Sequence, residues 1–214
     1  PIETLSWGRP GNPGLLLLHG KGAHADWWSF IAPFFADRYH VVALSWSGMG
    51  RSGWRDSYSM DIHVREIEEV AEATGLFSTP VPPIFTGHSF GGMPLLQSLG
   101  RLGGKVGAAI ILDTPLFSPE RRRAMQQESR SREIKPHRVY ATLAEALARF
   151  RYMPLQDCEN LFITDHIARH SLRQVDGEDG TGWSWRFDPG QWRNRPAADS
   201  AEWVHEAPCP LAFV

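Results

Sequence analysis

The stretch that decides the fold is Gly87-His88-Ser89-Phe90-Gly91-Gly92. It follows an apolar run over residues 81–86 and precedes a helical pattern over residues 93–99. A serine on such a sharp strand-to-helix turn projects its hydroxyl from the top of a sheet, close to the positive end of the next helix. Gly87 and Gly91 leave room for the turn. The pattern therefore predicts that Ser89 is presented for nucleophilic chemistry.

Four continuous apolar runs predict the strands around this turn. They cover residues 14–19, 39–44, 84–86 and 108–112. Continuous rather than alternating runs are typical of parallel strands that are buried on both faces. Helical patterns over residues 61–73 and 93–102 separate them. The alternation predicts an α/β fold, with a mostly parallel sheet, flanking helices and right-handed crossovers.

The pattern changes after Asp113. No strong strand is recognisable from residue 119 to about residue 207, where helices are predicted over 120–132, 143–150 and 157–170. Strand character returns only at 210–214. We therefore expect a core over residues 1–115, a helical cap inserted over residues 116–207, and a return strand within 208–214. Such a cap would cover the carboxyl ends of the strands, where ligands bind in open α/β sheets.

Composition excludes several classes of protein. Hydrophobic residues make up 42% and charged residues 21% of the 214 residues, as in soluble globular proteins. The net charge of −2 provides no field that would attract nucleic acid or anionic lipid. The apolar runs, such as residues 15–18 and 108–112, are too short to cross a membrane. We expect no nucleic-acid partner and no membrane association, and the sequence indicates no oligomeric state.

The two cysteines, Cys158 and Cys209, are too few and too far apart for a disulfide framework or a zinc ribbon. They favour a reducing compartment, and a cytoplasmic location is the expectation. A basic run over residues 121–138 is interleaved with acidic residues, which is typical of a solvated helix face.

A serine nucleophile needs a base, a group that orients the base, and donors for the oxyanion. One donor would be the backbone N–H of Phe90. The loop over residues 18–22 would supply the second through the N–H of Lys21, because Gly20 and Gly22 allow the backbone to approach a ligand. Such donors contribute roughly 3–4 kcal/mol each in the transition state. His19 and His88, with these two glycines, are expected to line the pocket.

These pieces resemble the serine hydrolases of the α/β-hydrolase fold superfamily. The resemblance is carried by residues 17–20, 43–52, 87–92 and 111–113, which come in the family's order within residues 1–115. It departs at Ser45-Trp46-Ser47-Gly48, where similar proteins often carry Asp-x-Pro-Gly, and this change bears on specificity. The resemblance implies hydrolysis of a carboxylic ester, or of a related small acyl or carbon–carbon substrate, through a seryl intermediate and without a cofactor. A serine argues against epoxide hydrolase or dehalogenase activity of the usual type.

In similar proteins the catalytic histidine follows the last strand of the sheet, and the acid follows the strand before it. We therefore expect both to lie beyond Val214, with a final strand and helix. Asp113 is an alternative acid, or a structural carboxylate at a turn. Within the chain, His88 is expected to point away from Ser89, His24 to line the mouth of the site, and His205 is a weak candidate for the base.

Two further hypotheses remain open on the same fold. The lack of a recognisable base favours a non-catalytic ligand-binding or signalling protein. An acyltransferase would use the same serine but exclude water. His166 and His170 are spaced like zinc ligands on a helix, but Ile167 stands where a His-Glu-x-x-His site has glutamate. Because no third ligand is recognisable, no metal site is predicted.

Overall fold

Buried apolar runs form the centre of a six-stranded sheet in the computed structural model, which describes residues 1–131, 133–177, 180–192 and 200–214. Expectations for residues 132, 178–179 and 193–199, all within the predicted insertion, lie outside the described residues. The strands of the main sheet are β1 (Glu3–Trp7), β2 (Gly14–Leu18), β3 (His40–Ser45), β4 (Ile84–His88), β5 (Ala108–Leu112) and β8 (Leu211–Phe213).

The strand order is β1-β3-β2-β4-β5-β8. Every neighbouring pair is parallel except β1 with β3. The predicted α/β fold is confirmed, since the four predicted runs and the C-terminal run all become strands of one sheet. The carboxyl ends of β2, β4 and β5 meet at the same edge, as parallel pairing requires.

Helices α1 (Met60–Ala73) and α2 (Gly92–Leu102) contribute their apolar faces to the main core. Leu16, Val42 and Phe85 supply the sheet side of that core and are fully buried. The opposite face of the sheet, with Leu15 and Val41, packs against a short 3-10 helix, Ala25–Trp28. Within the described ranges, no helix is both long and apolar enough to cross a membrane.

Strand β1 was not predicted from the sequence. Its side chains alternate between half-buried and exposed along Glu3–Trp7, because only the face that carries Leu5 and Trp7 packs against the core. An edge strand needs one apolar face, so it has no continuous apolar run. The strand has five residues, and its only large apolar residues are Leu5 and Trp7.

The segment between β5 and β8, residues 116–207, is called the insert below. Its described helices are α3 (Pro119–Ser131), α4 (Leu143–Leu147), α5 (Leu161–His170) and α6 (Ser200–His205). The prediction of helices alone was wrong: β6 (Leu172–Gly177) and β7 (Gly180–Trp185) form a separate antiparallel hairpin. The hairpin escaped prediction because polar residues alternate with its apolar ones, as in Arg173 and Ser184.

Two predicted helices are shorter than expected. The predicted helix 157–170 begins at Leu161, because the Asn160 side chain accepts a hydrogen bond from the Ile163 N–H and caps the helix there. The predicted helix 143–150 ends at Leu147. Helix α6 was not predicted; it packs beside α2 through Trp203 and Val204, which contact the main core.

Candidate active site

The turn at Ser89 has the backbone geometry that the sequence predicts. Ser89 follows β4 directly and has φ 51°, in the left-handed region that a residue with a side chain rarely adopts. A single 3-10 turn, Ser89–Gly91, then leads into α2. The Thr114 hydroxyl donates a hydrogen bond to the Ser89 carbonyl at 2.9 Å and ties the turn to the end of β5. Ser89 itself is partly exposed.

Three glycines allow this turn to pack closely. A Cβ on Gly87 would lie 2.8 Å from the Gly91 carbonyl oxygen, and a Cβ on Gly91 would lie 2.7 Å from the His19 carbonyl oxygen. A Cβ on Gly92 would clash with the Thr114 side chain. The turn therefore packs closely between the ends of β2 and β5, and a side chain at any of these glycines would displace it.

The loop after β2 lies against the same turn. A Cβ on Gly20 would come within 2.9 Å of His88 Nδ1 and 3.2 Å of Ser89 Cβ. Gly22 has φ 71°, so the loop reverses direction there through a conformation that favours glycine. The structure thus brings Gly20 beside Ser89, with Lys21 next in the chain and exposed to solvent.

The buried His19 side chain holds this loop in place through hydrogen bonds. Its side chain is 1% exposed. Nε2 accepts a hydrogen bond from the Trp46 backbone N–H at 3.1 Å, so the proton of the neutral ring is on Nδ1, which donates to the Gly20 carbonyl at 2.7 Å. The Trp46 indole N–H donates in turn to the His19 carbonyl at 2.9 Å. Burial lowers the pKa of His19 to about 3, despite the opposing effect of the hydrogen bond to Gly20.

His88 and Asp113 occupy the ends of neighbouring strands. His88 pairs with Leu112 in the register of β4 and β5, which places Asp113 one residue beyond. Burial lowers the pKa of His88, although the charge of Asp113 acts in the opposite direction. Asp113 is exposed, has φ 45°, and donates its backbone N–H to the Val214 carbonyl at 2.8 Å. Among the described residues, no side chain hydrogen-bonds the Ser89 hydroxyl.

A buried polar network supports the site from the side of β3, and the sequence analysis missed it. The Glu66 carboxylate accepts hydrogen bonds from the Ser47 backbone N–H and from Arg55, both at 3.2 Å, and faces His63 Nδ1 at 3.2 Å. The His63 ring makes an edge contact with the Phe90 ring, at 5.3 Å between centroids. The spacing of His63 and Glu66, three apart on α1, was the available signal.

The insert contacts the loops that follow β2 and β3. The Tyr58 hydroxyl donates to Asp188 Oδ2 at 2.6 Å, and the Asp188 backbone N–H donates to the Gly48 carbonyl at 2.7 Å. His24 was expected at the mouth of the site, but it is 1% exposed and its Nε2 lies 3.0 Å from the Ser171 hydroxyl. That expectation was wrong, because the insert covers this residue.

Comparison with known proteins identifies the family of this chain. A sequence profile of the alpha/beta hydrolase family matches residues 15–211. The chain is similar to the pimeloyl-(acyl-carrier protein) methyl ester esterase of Methylococcus capsulatus, with 32% identity over 120 residues, or 56% of this chain and 42% of that protein. A monoacylglycerol lipase of Xenopus laevis is 36% identical over 89 residues, or 40% of this chain and 26% of the lipase.

These matches span less than half of the length of either relative. Among solved structures, a thioesterase domain from the curacin biosynthetic pathway superposes on 99% of this chain, and the match covers 78% of that domain. The TM-score is 0.73 and the sequence identity is 24%, so this likeness bears on the fold alone.

Proposed function

This chain belongs to the alpha/beta hydrolase family, and from that premise we propose that it is a serine hydrolase which cleaves a carboxylic ester or a related acyl bond. The observation that carries the proposal is the left-handed Ser89 on the turn between β4 and α2. The glycine contacts that hold the turn keep the hydroxyl at the carboxyl edge of the sheet, where ligands bind in open α/β folds. The esterase and the lipase among its relatives support ester hydrolysis in general.

In the proposed reaction, Ser89 Oγ attacks the acyl carbonyl carbon and loses its proton to a general base. The carbonyl oxygen becomes an oxyanion, which accepts hydrogen bonds from the backbone N–H groups of Phe90 and Lys21. The leaving alcohol takes the proton back from the base and departs. Water then attacks the seryl ester by the same route, releasing the acid and restoring the serine.

The supporting residues are assigned as follows. His19 is a positioning residue, because it fixes the Gly20 carbonyl and thereby the loop that carries Lys21. Gly20, Gly22 and His88 line the pocket. Asp113 is the candidate acid, because it stands at the end of the strand next to β4. No described histidine hydrogen-bonds Ser89, so the base is not assigned.

We extend the proposal to the insert, residues 116–207, as a cap over the site. Its support is that the insert fastens to the loops that follow the carboxyl ends of β2 and β3, through His24, Gly48 and Tyr58. A cap in this position would exclude water and select the acyl group.

A fluorophosphonate probe tests the proposal, since it labels serines that are activated as nucleophiles. We expect the protein to be labelled, Ser89→Ala to abolish labelling, and Ser57→Ala, at an exposed serine, to leave it unchanged. Ester turnover should fall on the order of 10⁴–10⁶-fold in Ser89→Ala. A folded protein that takes up no label would refute the hydrolase and favour a non-catalytic ligand-binding protein. Transfer of the acyl group to an added alcohol in preference to water would identify an acyltransferase.

A further inference from the structure

Four ionisable side chains meet where the insert packs on the core, on the loop that follows β2. They are His24 and Asp26, at the short 3-10 helix Ala25–Trp28, and His166 and His170, on α5. One ligand atom from each of Asp26, His166 and His170 lies within 4.8 Å of the other two. The third ligand that the sequence did not reveal is therefore Asp26, which is far away along the chain. We call these four residues the His–Asp cluster.

One hydrogen bond orients the His170 ring so that Nε2 faces Asp26. Its Nδ1 lies 2.8 Å from the His166 backbone carbonyl, which can only accept, so Nδ1 carries a proton. In the neutral ring, Nε2 is then unprotonated, and it lies 3.6 Å from Asp26 Oδ1. A backbone carbonyl that fixes the ring in this way is the usual partner of a metal-binding histidine.

His24 lies on the Oδ2 side of Asp26, beside the three residues of the ligand group. The Ser171 hydroxyl donates to the Ile167 carbonyl at 2.8 Å, so it accepts from His24 Nε2, 3.0 Å away. His24 Nδ1 lies 3.2 Å from Asp26 Oδ2. His24 is 1% exposed, and its Nδ1 makes no hydrogen bond of acceptable geometry within the described residues.

His166 contributes another unpaired nitrogen. Its Nε2 is inaccessible to solvent and makes no hydrogen bond among the described residues. Its ring lies 4.0 Å from the His170 ring and packs edge-on against Phe30 at 5.1 Å, so it is held at the cluster. Buried nitrogens without partners are costly, and a cation between them and a carboxylate would satisfy them.

The Asp26 carboxylate lies at the centre of the cluster and is buried. Arg51 Nη1 contacts Asp26 Oδ2 at 3.2 Å and also pairs with Glu3. Arg51 therefore occupies the Oδ2 side of Asp26, and Oδ1 remains directed at His170.

We propose that Asp26, His166 and His170 together bind a divalent transition-metal ion of the zinc class. Imidazole nitrogens with one carboxylate oxygen are the donors that Zn²⁺ accepts. Tetrahedral zinc with bonds of about 2.1 Å places its ligands about 3.4 Å apart. The separation of 3.6 Å between Asp26 Oδ1 and His170 Nε2 is close to that value. The widest separation among the three ligand atoms, within 4.8 Å, closes with a side-chain shift of about 1 Å.

Such an ion would join α5 of the insert to the loop that begins with Gly20 and Lys21. It lies outside the proposed reaction at Ser89, and the inference does not depend on the protein being a hydrolase. Its expected effect is to fix the insert on the core.

Zinc binding to the apo-protein tests the proposal by competition with a chromogenic chelator. We expect one tight Zn²⁺ per chain, and a loss of affinity of about tenfold to a hundredfold or more in His166→Ala and in His170→Ala. His205→Ala, at an exposed histidine outside the cluster, should bind as the wild type does. Equal affinity in His166→Ala, His170→Ala and the wild type would overturn the proposal.

Two measurements on the unaltered protein do not depend on the folding of variants. Co²⁺ should give the intense visible absorption of a four-coordinate site, without thiolate charge-transfer bands. The melting temperature should rise by about 5–10 °C at a hundredfold excess of Zn²⁺ over its Kd. No tight Zn²⁺ site and no thermal shift in the wild type would refute the site outright.

Discussion

Protonation of His19 is expected to destabilise the fold, and the substitution His19→Gln separates this effect from the titration of other groups. The ring is buried, accepts a hydrogen bond from the Trp46 N–H and donates one to Gly20. A protonated ring would have no acceptor for the Trp46 N–H. Its folded-state pKa of about 3 lies far below the value of about 6.5 in the unfolded chain.

The sign follows from proton binding. Between about pH 6.5 and about pH 3 the unfolded chain takes up a proton at this position and the folded chain does not, so stability falls as the pH falls. The limiting slope is about 1.4 kcal/mol per pH unit. Between about pH 7.5 and about pH 4.5, His19 alone should remove about 2.7 kcal/mol from the free energy of unfolding.

The assay is urea denaturation at these two pH values, for the wild type and for His19→Gln. Glutamine can present an oxygen to the Trp46 N–H but cannot titrate. At the higher pH we expect His19→Gln to be less stable by about 1–3 kcal/mol, because the contact with Gly20 is lost. Between the two pH values, it should lose about 2.7 kcal/mol less than the wild type loses.

His205→Gln, at an exposed histidine, is the control and should follow the wild type at both pH values. If wild type and His19→Gln lose the same free energy between the two pH values, the reasoning that His19 stays neutral in the fold is refuted.

Two further substitutions test the site and the insert. Gly20→Ala should lower ester turnover by about tenfold to a hundredfold, because its Cβ would press on His88 and Ser89 and displace the loop. Gly100→Ala on α2 is the control and should leave turnover unchanged, because a Cβ there meets nothing within 4 Å. Equal turnover in the two variants would contradict the role of the loop. Tyr58→Phe removes the hydrogen-bond donor to Asp188 and should lower the free energy of unfolding, measured in urea, by about 1–3 kcal/mol. It should also make the insert more susceptible to limited proteolysis. If the variant resists protease as the wild type does, this hydrogen bond does not hold the insert on the core.

The core of the sheet could be predicted because buried parallel strands carry a strong local signal. Residues 14–18 and 108–112 are apolar throughout and have Gly, Pro or polar residues at their borders. Strand β1 and the hairpin of β6 and β7 carry a weaker signal, because half of their side chains face solvent and may be polar in any order. The shape of the turn at Ser89 was predictable for another reason: it depends on adjacent residues, above all Gly87 and Gly91.

The surroundings of the site could not be predicted, because they depend on residues that are distant along the chain. His166 and His170 were visible as a pair, but Asp26 reaches them only through the packing of α5 on the loop after β2. In the same way, the burial of His24 depends on Ser171, and nothing near His24 in the sequence indicates it.

The pairing of β5 with β8 has a consequence for how the chain folds. These strands are neighbours in the sheet, with Ala109 opposite Leu211, although the whole insert separates them. Closing a loop of about a hundred residues costs roughly 4 kcal/mol of chain entropy, so β8 is expected to join after the strands from β2 to β5 have assembled. Because doubling the loop adds only about 0.6 kcal/mol, the insert is the place where the chain can lengthen or shorten with the least effect on the sheet.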